Sequence, residues 1–345
     1  MVEQKLPKLK MRVRFSSPAP IYQSGNPRMA KLRAVFHYAA SAGIRESLSV
    51  VENDWLTIDI CDEGDDDRLF QLIANADVLW HVLQPATAEV IAAAPNLRLI
   101  QKIGVGVNTI NLEAARARNI TVCNMPGTNS QAVAEATIML MLSALRRGMA
   151  FHDATRRGDG WCMDPSVFDQ IGEILGRTVG LIGYGEVARR TAPVVAALGA
   201  RVLYTATEPK DDAVGEWRDL KSLLVESDVI SLHLPLTPET DKIIDAAAFS
   251  IMKPGAVLVN TARGGLVDQS ALHLALTEGK LMAAGLDVFA EEPINDAEPL
   301  LALDKVALMP HVAWLTPETI NRSIHIAVEN SRRLIDGGEF IHRVI

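Results

Sequence analysis

A glycine-rich turn within residues 179–190 constrains the fold of this chain more than any other stretch. An apolar strand at 179–182 runs directly into Gly183-x-Gly185-x-x-Ala188, and a helical pattern follows. Gly183 permits a tight strand-to-helix turn, Gly185 lets the backbone approach a pyrophosphate, and the small Ala188 lets the helix pack on the strand. The first N–H groups of the helix would then face the phosphates. Because strand and helix are both in place, the pattern predicts a dinucleotide-binding turn rather than a glycine-rich turn without a ligand.

Length and composition set the broad class of the protein. The 345 residues predict about two domains, and 48% hydrophobic with 22% charged residues is typical of a globular enzyme. The formal net charge of -8 argues against a nucleic-acid partner. Cys61, Cys123 and Cys162 are too few and too far apart for a metal site or a disulfide framework, and no apolar run reaches the roughly 18 residues of a membrane span. We therefore expect a soluble, cytoplasmic protein that binds no metal, nucleic acid or membrane.

The N-terminal segment, residues 1–28, is strongly basic. It contains six Lys or Arg residues against one acidic residue, Glu3, and four prolines interrupt any periodic pattern. We predict a disordered, dispensable basic leader over residues 1–28. A targeting peptide is the alternative, since the segment is poor in acids, although it lacks a secretory apolar core. Folding is expected to begin at Lys31.

Short apolar runs alternate with helical patterns from residue 32 to residue 124. Strands are predicted at 32–36, 56–60, 78–82, 99–103 and 121–123, which indicates a first α/β domain. A glycine loop, Lys102-Ile-Gly-Val-Gly-Val-Asn108, follows the fourth strand, at the edge where open α/β sheets bind ligands. Its backbone N–H groups could hold an anion, and Lys102 could add a positive charge. The alternative is a tight turn without chemistry beside a solvated lysine.

The second half of the chain repeats the alternation around the dinucleotide turn. A long amphipathic helix from Asn129 to about Arg147 is expected to cross between the domains. Further strands are predicted at 201–205, 228–232, 256–259, 283–288 and 306–309.

The tip of the strand at 201–205 bears on the choice of cofactor. An NAD-binding turn usually has an acidic residue there, which binds the ribose 2′-OH. Ala206 stands at that position, and Thr207 and Lys210 could hold a 2′-phosphate, whereas Glu208 would oppose it if its side chain turned inward. The sequence therefore favours NADPH over NADH.

Three polar residues in the last third of the chain are candidates for catalysis. Arg263 can grip a carboxylate with its planar guanidinium, His311 can move a proton near neutral pH, and Glu292 can hold that histidine and favour its charged form. Each also has a plain structural interpretation. Arg263 could form a surface ion pair, His311 could be a buried histidine with satisfied hydrogen bonds, and Glu292 could be a turn residue before Pro293.

These residues occur in motifs that resemble the D-isomer-specific 2-hydroxyacid dehydrogenase family over nearly all of residues 31–345. The motifs are Gly104-Val-Gly106-Val-Asn108, Gly183-x-Gly185-x-x-Ala188, Ser231-Leu-His-Leu-Pro-Leu-Thr237, Asn260-Thr-Ala-Arg-Gly-Gly-Leu-Val-Asp268, Gly285-Leu-Asp-Val-Phe-Ala-Glu-Glu-Pro293 and Pro310-His311. The chain departs from many members at Ala206, where they carry aspartate, so the choice of cofactor is open.

The resemblance implies a role for each matching residue. Arg263, Glu292 and His311 would be catalytic, with Arg263 binding the substrate and His311 acting as the acid/base. Val105 and Gly106, with Lys102, would bind the substrate carboxylate. The implied cofactor-binding residues are Gly183, Tyr184, Gly185, Glu186, Val187, Ala206, Thr207, His233, Pro235, Thr261, Ala262 and Asp287.

The resemblance also implies the architecture: two Rossmann-like α/β domains, each a parallel sheet flanked by helices, with the active site in the cleft between them. Residues 29–127 plus 315–345 would form the substrate domain, re-entered through a helix that begins near Thr316, and residues 128–314 the dinucleotide-binding domain. The family is typically dimeric, so a homodimer is expected.

The implied function is reduction of a small 2-oxo acid, such as glyoxylate or hydroxypyruvate, to the D-2-hydroxy acid with NAD(P)H. A dinucleotide-sensing scaffold or corepressor on the same fold is the alternative from another class, and the complete catalytic set argues against it. A phosphoglycerate dehydrogenase-like activity through Lys102 is a further alternative. A formate dehydrogenase-like activity is disfavoured, because that branch has glutamine where Glu292 stands.

Overall fold

The computed structural model describes residues 31–162 and 164–345, and the predicted leader lies outside these residues. It contains two parallel β-sheets, one of five strands and one of seven. No helix in the described ranges is long and apolar enough to cross a membrane. The predicted α/β class, with parallel sheets flanked by helices, is confirmed.

The first sheet has the strand order β2-β1-β3-β4-β5. Its strands are β1 (Leu32–His37), β2 (Leu56–Cys61), β3 (Val78–His81), β4 (Leu99–Lys102) and β5 (Thr121–Cys123). The connecting helices are α1 (Ala42–Val51), α2 (Asp66–Ile73), α3 (Ala88–Ala92) and α4 (Leu112–Ala117). Alternate residues face opposite sides: Phe36 and Trp80 pack in one apolar cluster, Val35 and Leu79 in another. Both faces are therefore buried, as parallel sheets require.

The second sheet has the strand order β12-β11-β10-β9-β6-β7-β8. Its strands are β6 (Thr178–Ile182), β7 (Arg201–Thr205), β8 (Glu216–Trp217), β9 (Val229–Leu232), β10 (Ala256–Asn260), β11 (Leu281–Leu286) and β12 (Val306–Leu308). The helices from here to the C-terminus are α5 (Ser130–Arg146), α6 (Gly148–Arg157), α7 (Glu186–Ala197), α8 (Leu220–Glu226), α9 (Ala246–Ile251), α10 (Gln269–Thr277) and α11 (Pro317–Asp336). Short 3₁₀ turns cover Pro165–Gln170, Gly264–Leu266 and Pro299–Ala302.

Helix α11 returns the chain to the first sheet. The Thr316 hydroxyl accepts a hydrogen bond from the Thr319 N–H at 3.1 Å and Pro317 begins the helix, as predicted from sequence. Ile320 and Ile324 pack in the same cluster as Trp80. The helix ends at Gly337, whose φ of 70° is left-handed.

The crossover helix α5 has the predicted extent, with Asn129 as its N-cap and Arg147 as its C-cap; Arg147 adopts a left-handed conformation with φ 50°, after which α6 begins. Its first turn reaches the first sheet, where Val133 packs in the cluster of Phe36 and Trp80. Further along, Leu140 and Met141 pack against the second sheet. A single helix therefore connects the two cores.

Candidate active site

The glycine turn after β6 has the shape that a pyrophosphate needs. Gly183 has φ 93°, and a Cβ there would lie 2.7 Å from the His233 carbonyl oxygen, so only glycine fits. A Cβ on Gly185 would meet no atom within 4 Å, which leaves open space beside the backbone. Ala188 is fully buried on the face of α7 that packs against β6. These residues fit a dinucleotide cofactor.

The N-terminus of α7 has no side-chain cap, unlike those of α8, α9 and α10 on this sheet. Gly185 is its N-cap and makes no side-chain capping bond, whereas Asp268 caps α10 by accepting from the Ala271 N–H at 3.1 Å. The first N–H groups of α7 thus remain available to an anionic ligand. This absence of a cap is the structural feature that most favours phosphate binding at the turn.

Three predicted cofactor residues in this turn direct their side chains elsewhere. The Tyr184 ring packs against Tyr204 with centroids 4.4 Å apart, and its hydroxyl accepts from the Val214 N–H at 2.7 Å. Glu186 pairs with Arg190 at 2.5 Å. Val187 packs on the core of the first sheet. Only their backbones are therefore available to the pyrophosphate.

The tip of β7 is held by Trp217, whose indole N–H donates to the Ala206 carbonyl oxygen at 3.1 Å. Glu208 turns outward and is 73% exposed, with its carboxylate 3.0 Å from the Lys210 ammonium. Lys210 thus already has a counter-ion on the loop. No carboxylate stands at Ala206 itself.

Two further loops approach the glycine turn. The His233 N–H donates to the Ile182 carbonyl oxygen at 2.7 Å, and burial lowers the pKa of this histidine to about 4, so it is neutral. The Pro235 carbonyl accepts from Thr240 at 2.8 Å. The Thr261 hydroxyl lies 2.7 Å from that of Thr137 on α5, which ties the loop after β10 to the crossover helix.

Ala262 is positioned by its own strand end: its N–H donates to the Asn260 side-chain oxygen at 3.0 Å, and the Asn260 amide donates to the Arg263 carbonyl oxygen at 2.9 Å. The Asn260 side chain thus shapes the loop that presents Arg263. This role was missed from sequence, where Asn260 was only part of a motif.

Arg263 faces the glycine loop of the first sheet. A Cβ on Gly106 would overlap its Nη2 atom and lie 3.0 Å from the Asn108 side-chain oxygen. The guanidinium is held by a 2.6 Å bond from Nη1 to the Ala262 carbonyl. Burial lowers the pKa of Arg263, an effect that the charge of Glu292 opposes. The two predicted substrate elements, arginine and glycine loop, are therefore in direct contact across the cleft.

His311 and Glu292 form the pair predicted from sequence. The His311 Nδ1 lies 2.6 Å from a Glu292 carboxylate oxygen, and the other oxygen accepts from the Phe289 N–H at 2.9 Å. Burial raises the pKa of the Glu292 carboxyl. The hydrogen bond from His311 and the charges of His311 and Arg263 lower that pKa by more, so that it lies below its usual value. Glu292 is thus an ionised partner that fixes the imidazole through Nδ1.

Asp287 holds the loop that carries His311. Its buried carboxylate accepts from the Val312 N–H at 2.8 Å and the Ala313 N–H at 3.1 Å, and its carbonyl accepts from the His311 N–H at 2.7 Å. Burial raises its pKa, and the backbone hydrogen bonds counteract this. The sequence suggested a contact to the cofactor and missed this positioning role.

Lys102 lies at the end of β4, buried beside Gly104, and its ammonium donates to the Val82 carbonyl oxygen. Burial, followed by the charge of Arg263, lowers the pKa of Lys102 to about 7. Lys102 is therefore not the solvated lysine of the alternative interpretation. Val105, in the next loop, is 44% exposed, and the Asn124 side-chain amide holds its carbonyl at 2.9 Å.

Two histidines that were not identified from sequence lie beside Lys102 at this edge of the first sheet. His37 and His81 are in register on neighbouring strands, and His81 is in register with Lys102. Both are buried, and burial lowers the pKa of each. Their position at strand ends was the signal that could have identified them.

The comparison with known proteins agrees with this geometry. Residues 138–313 match the NAD binding domain of the D-isomer specific 2-hydroxyacid dehydrogenases. The D-3-phosphoglycerate dehydrogenase of Mycobacterium tuberculosis is 41% identical over 287 residues, 81% of this chain and 53% of that protein. The glyoxylate reductase of Aeropyrum pernix is 38% identical over 273 residues, 76% of this chain and 81% of that protein.

A solved structure is similar as well. The crystal structure of a protein from Thermus thermophilus superposes with a TM-score of 0.82 at 34% identity, covering 91% of this chain and 100% of that chain. The chain spans about half the length of the phosphoglycerate dehydrogenase it matches. The chain belongs to the D-isomer specific 2-hydroxyacid dehydrogenase family.

Proposed function

We propose that the protein reduces a small 2-oxo acid, with glyoxylate and hydroxypyruvate as first candidates, to the D-2-hydroxy acid with NAD(P)H. The observation that carries the proposal is the 2.6 Å contact between His311 Nδ1 and Glu292. It occupies one ring nitrogen and leaves Nε2 for a substrate. Arg263 lies close enough to Glu292 for the charges to interact, so a carboxylate-binding group and a proton donor share one cleft.

Substrate orientation comes from two elements. The guanidinium of Arg263 can make two charge-assisted hydrogen bonds to the substrate carboxylate. The backbone N–H groups of Val105 and Gly106 would complete the carboxylate site, since Gly106 is in contact with that guanidinium. The carboxylate held between them places the 2-oxo carbon at the edge of the cleft.

His311 is the proton donor of this proposal. Because Nδ1–H donates to Glu292, the Nε2–H of the imidazolium is free to donate to the carbonyl oxygen as it gains charge. Glu292 holds the imidazole through Nδ1, and Asp287 fixes the loop through the Val312 and Ala313 amides. The nicotinamide cofactor, when bound, supplies the hydride. In the reverse direction neutral His311 accepts the proton.

The cofactor would be held at the glycine turn by the backbone of residues 183–187 and by the uncapped N-terminus of α7. The loops that carry His233, Pro235, Thr261 and Ala262 would cover it. Ala206 supplies no carboxylate to bind a ribose 2′-OH or repel a 2′-phosphate. This supports a preference for NADPH, with Thr207 among the donors at the strand tip.

D-3-phosphoglycerate dehydrogenase-like activity is the second candidate. It is favoured by Lys102, a buried amine whose pKa is lowered to about 7 by burial and then by the charge of Arg263, which places it near the proposed substrate arginine. A phosphorylated 2-oxo acid would place a second anion within reach of such a group. A relative of that name is 41% identical.

The remaining predictions concern organisation. We propose that the first sheet with α11 is the substrate domain, residues 29–127 plus 315–345, and that residues 128–314 form the dinucleotide-binding domain. A homodimer is supported by exposed apolar side chains on the crossover helices, namely Met139, Leu142 and Met149. Cytoplasmic location stays a prediction from sequence.

The test is a panel of acids with NADPH or NADH, followed by the loss of nicotinamide absorbance. It contains glyoxylate, hydroxypyruvate, pyruvate and 3-phosphohydroxypyruvate, and chiral chromatography identifies the product enantiomer. We expect turnover with the unphosphorylated acids and the D-enantiomer from hydroxypyruvate and pyruvate; glycolate, the product of glyoxylate, is achiral. Turnover confined to the phosphorylated acid would favour the second candidate, whereas cofactor binding without turnover of any acid would favour the sensing scaffold.

A further inference from the structure

The loop after β7, residues 206–215, is held against the start of α7 by two tyrosines. The Tyr184 hydroxyl accepts from the Val214 N–H at 2.7 Å, and the Tyr204 hydroxyl accepts from the Lys210 N–H at 2.8 Å. In a dinucleotide fold the glycine turn takes the pyrophosphate and the tip of the second strand takes the adenine ribose. The 2′ position of a bound ribose would therefore lie where this loop meets α7.

Arg189 stands at this junction. It is in the first turn of α7, with its N–H donating to the Gly185 carbonyl at 3.0 Å. Its Cζ lies 5.2 Å from the centroid of the Tyr184 ring, and its Nη1 donates to an Asp212 carboxylate oxygen at 2.5 Å. The helix and the aromatic face thus hold the cation from one side. Its counter-ion comes from the loop.

The two members of this ion pair differ in exposure. The Asp212 side chain is 72% exposed, whereas that of Arg189 is 31% exposed. A carboxylate so accessible to water is bound only weakly by its partner, because exposed ion pairs contribute little to stability. A phosphate can take its place on the guanidinium and form two hydrogen bonds with it.

We propose that Arg189 binds the 2′-phosphate of NADPH and that Asp212 is the counter-ion which the phosphate displaces. The inference rests on the proposed preference for NADPH and adds a residue on the helix to the strand-tip residues Ala206 and Thr207. Lys210 is the less suitable cation, because an ammonium acts as a point charge whereas the planar guanidinium of Arg189 can bind a phosphate through two hydrogen bonds. Asp212 would also limit the preference for NADPH over NADH, because it competes with the 2′-phosphate for the Arg189 guanidinium.

The test measures fragment binding by calorimetry on the full chain, with 2′,5′-ADP and 5′-AMP as the two probes. They differ by the 2′-phosphate, so their affinity ratio isolates its recognition. Arg189→Gln should weaken 2′,5′-ADP binding by about tenfold to a hundredfold, because a charge-assisted contact is lost, and leave 5′-AMP unchanged. Asp212→Asn should tighten 2′,5′-ADP binding by a few fold. Arg33→Gln, which removes the Arg33–Asp59 pair of the first sheet at 3.2 Å, is the control and should alter neither affinity.

Three outcomes would overturn the assignment: equal affinities of the wild type for both probes, an unchanged affinity ratio in Arg189→Gln, or weaker 2′,5′-ADP binding in Asp212→Asn. For Asp212→Asn we expect tighter binding of 2′,5′-ADP, and a misfolded protein would not show such an increase in affinity. Fragment binding needs no turnover, so failure here leaves 2-oxo acid reduction standing. Conversely, absence of reduction with the expected fragment ratios would refute the proposed function alone.

Discussion

Arg263 and Gly106 are in contact across the cleft between the two sheets, and a Cβ on Gly106 would overlap the Arg263 Nη2 atom. The position of the arginine, the proposed substrate-binding residue, thus requires glycine at residue 106. The contact also explains why two motifs separated by more than 150 residues of chain belong to one site.

Replacing this glycine should disable the site without unfolding the protein. In Gly106→Ala the guanidinium must move away, and a displacement of about 1 Å costs up to about a hundredfold in rate. We expect kcat/KM on the preferred 2-oxo acid to fall by about that factor, with an unchanged melting temperature. Gly43→Ala is the control, since a Cβ there meets nothing within 4 Å. Equal kinetics for the two variants would contradict the assigned contact.

Removal of the proton donor should separate chemistry from cofactor binding. His311→Gln lacks a group that can donate the proton, and loss of a general acid costs about 10² to 10⁴ in rate. We expect kcat to fall by that range while the Kd for the reduced cofactor, measured by fluorescence titration, stays the same. His325→Gln, on the exposed face of α11, should behave as wild type. A parallel loss of cofactor affinity would assign His311 a structural role.

Glu292 contributes stability over a defined pH range. Its folded-state pKa lies below the ordinary 4.5 because His311 and Arg263 outweigh its burial. The contribution is therefore present above that ordinary value and is lost as the pH falls through the lowered pKa. Wild type should exceed Glu292→Gln in the free energy of unfolding at about pH 7, with the difference shrinking towards about pH 3. Urea titrations measure this, with the exposed Glu291→Gln as control; a difference that grows on acidification would reverse the assignment.

Lys102 should show the opposite trend. Burial lowers its pKa from 10.5 to about 7, so between these values the unfolded chain binds more protons and stability rises with pH. Its charge penalises folding fully below about pH 7. Lys102→Met should therefore gain most over wild type at about pH 6 and lose that advantage by about pH 10. Urea unfolding of both proteins measures how the difference in their free energy of unfolding changes with pH. A difference that does not change with pH would contradict the lowered pKa of Lys102 in the folded protein.

Much of this architecture can be predicted from sequence, because apolar runs alternate with capped helices and the motifs stand at strand ends. The strand β11 is an instructive exception: it ends at Leu286, two residues before the predicted end. Asp287 accepts from the Val312 and Ala313 amides and thereby belongs to the loop of His311. Periodicity along one segment cannot reveal a partner that lies 25 residues away.

Side-chain directions were the other part that sequence could not supply. Tyr184 occupies a motif position, but its ring packs on Tyr204 and its hydroxyl binds the loop after β7. Likewise, the sequence pattern places Arg189 on a helix but does not show that the loop after β7 positions Asp212 beside it. Both contacts depend on how residues 206–215 fold back, and that fold is set by tertiary hydrogen bonds.

Cofactor choice should change when the missing carboxylate is restored at the tip of β7. Ala206→Asp places an acceptor where the ribose 2′-OH lies and adds a charge that repels a 2′-phosphate. With about 1.4 kcal/mol at stake, the ratio of kcat/KM for NADPH to that for NADH should fall roughly tenfold. Ala206→Asn is the control, because it has nearly the same size without the charge and should shift the ratio less. In the wild type Glu208 is outward and paired with Lys210 at 3.0 Å, so it does not take the place of the missing carboxylate. A wild-type enzyme already strongly selective for NADH, or a ratio that Ala206→Asp does not move, would show that the choice is made elsewhere.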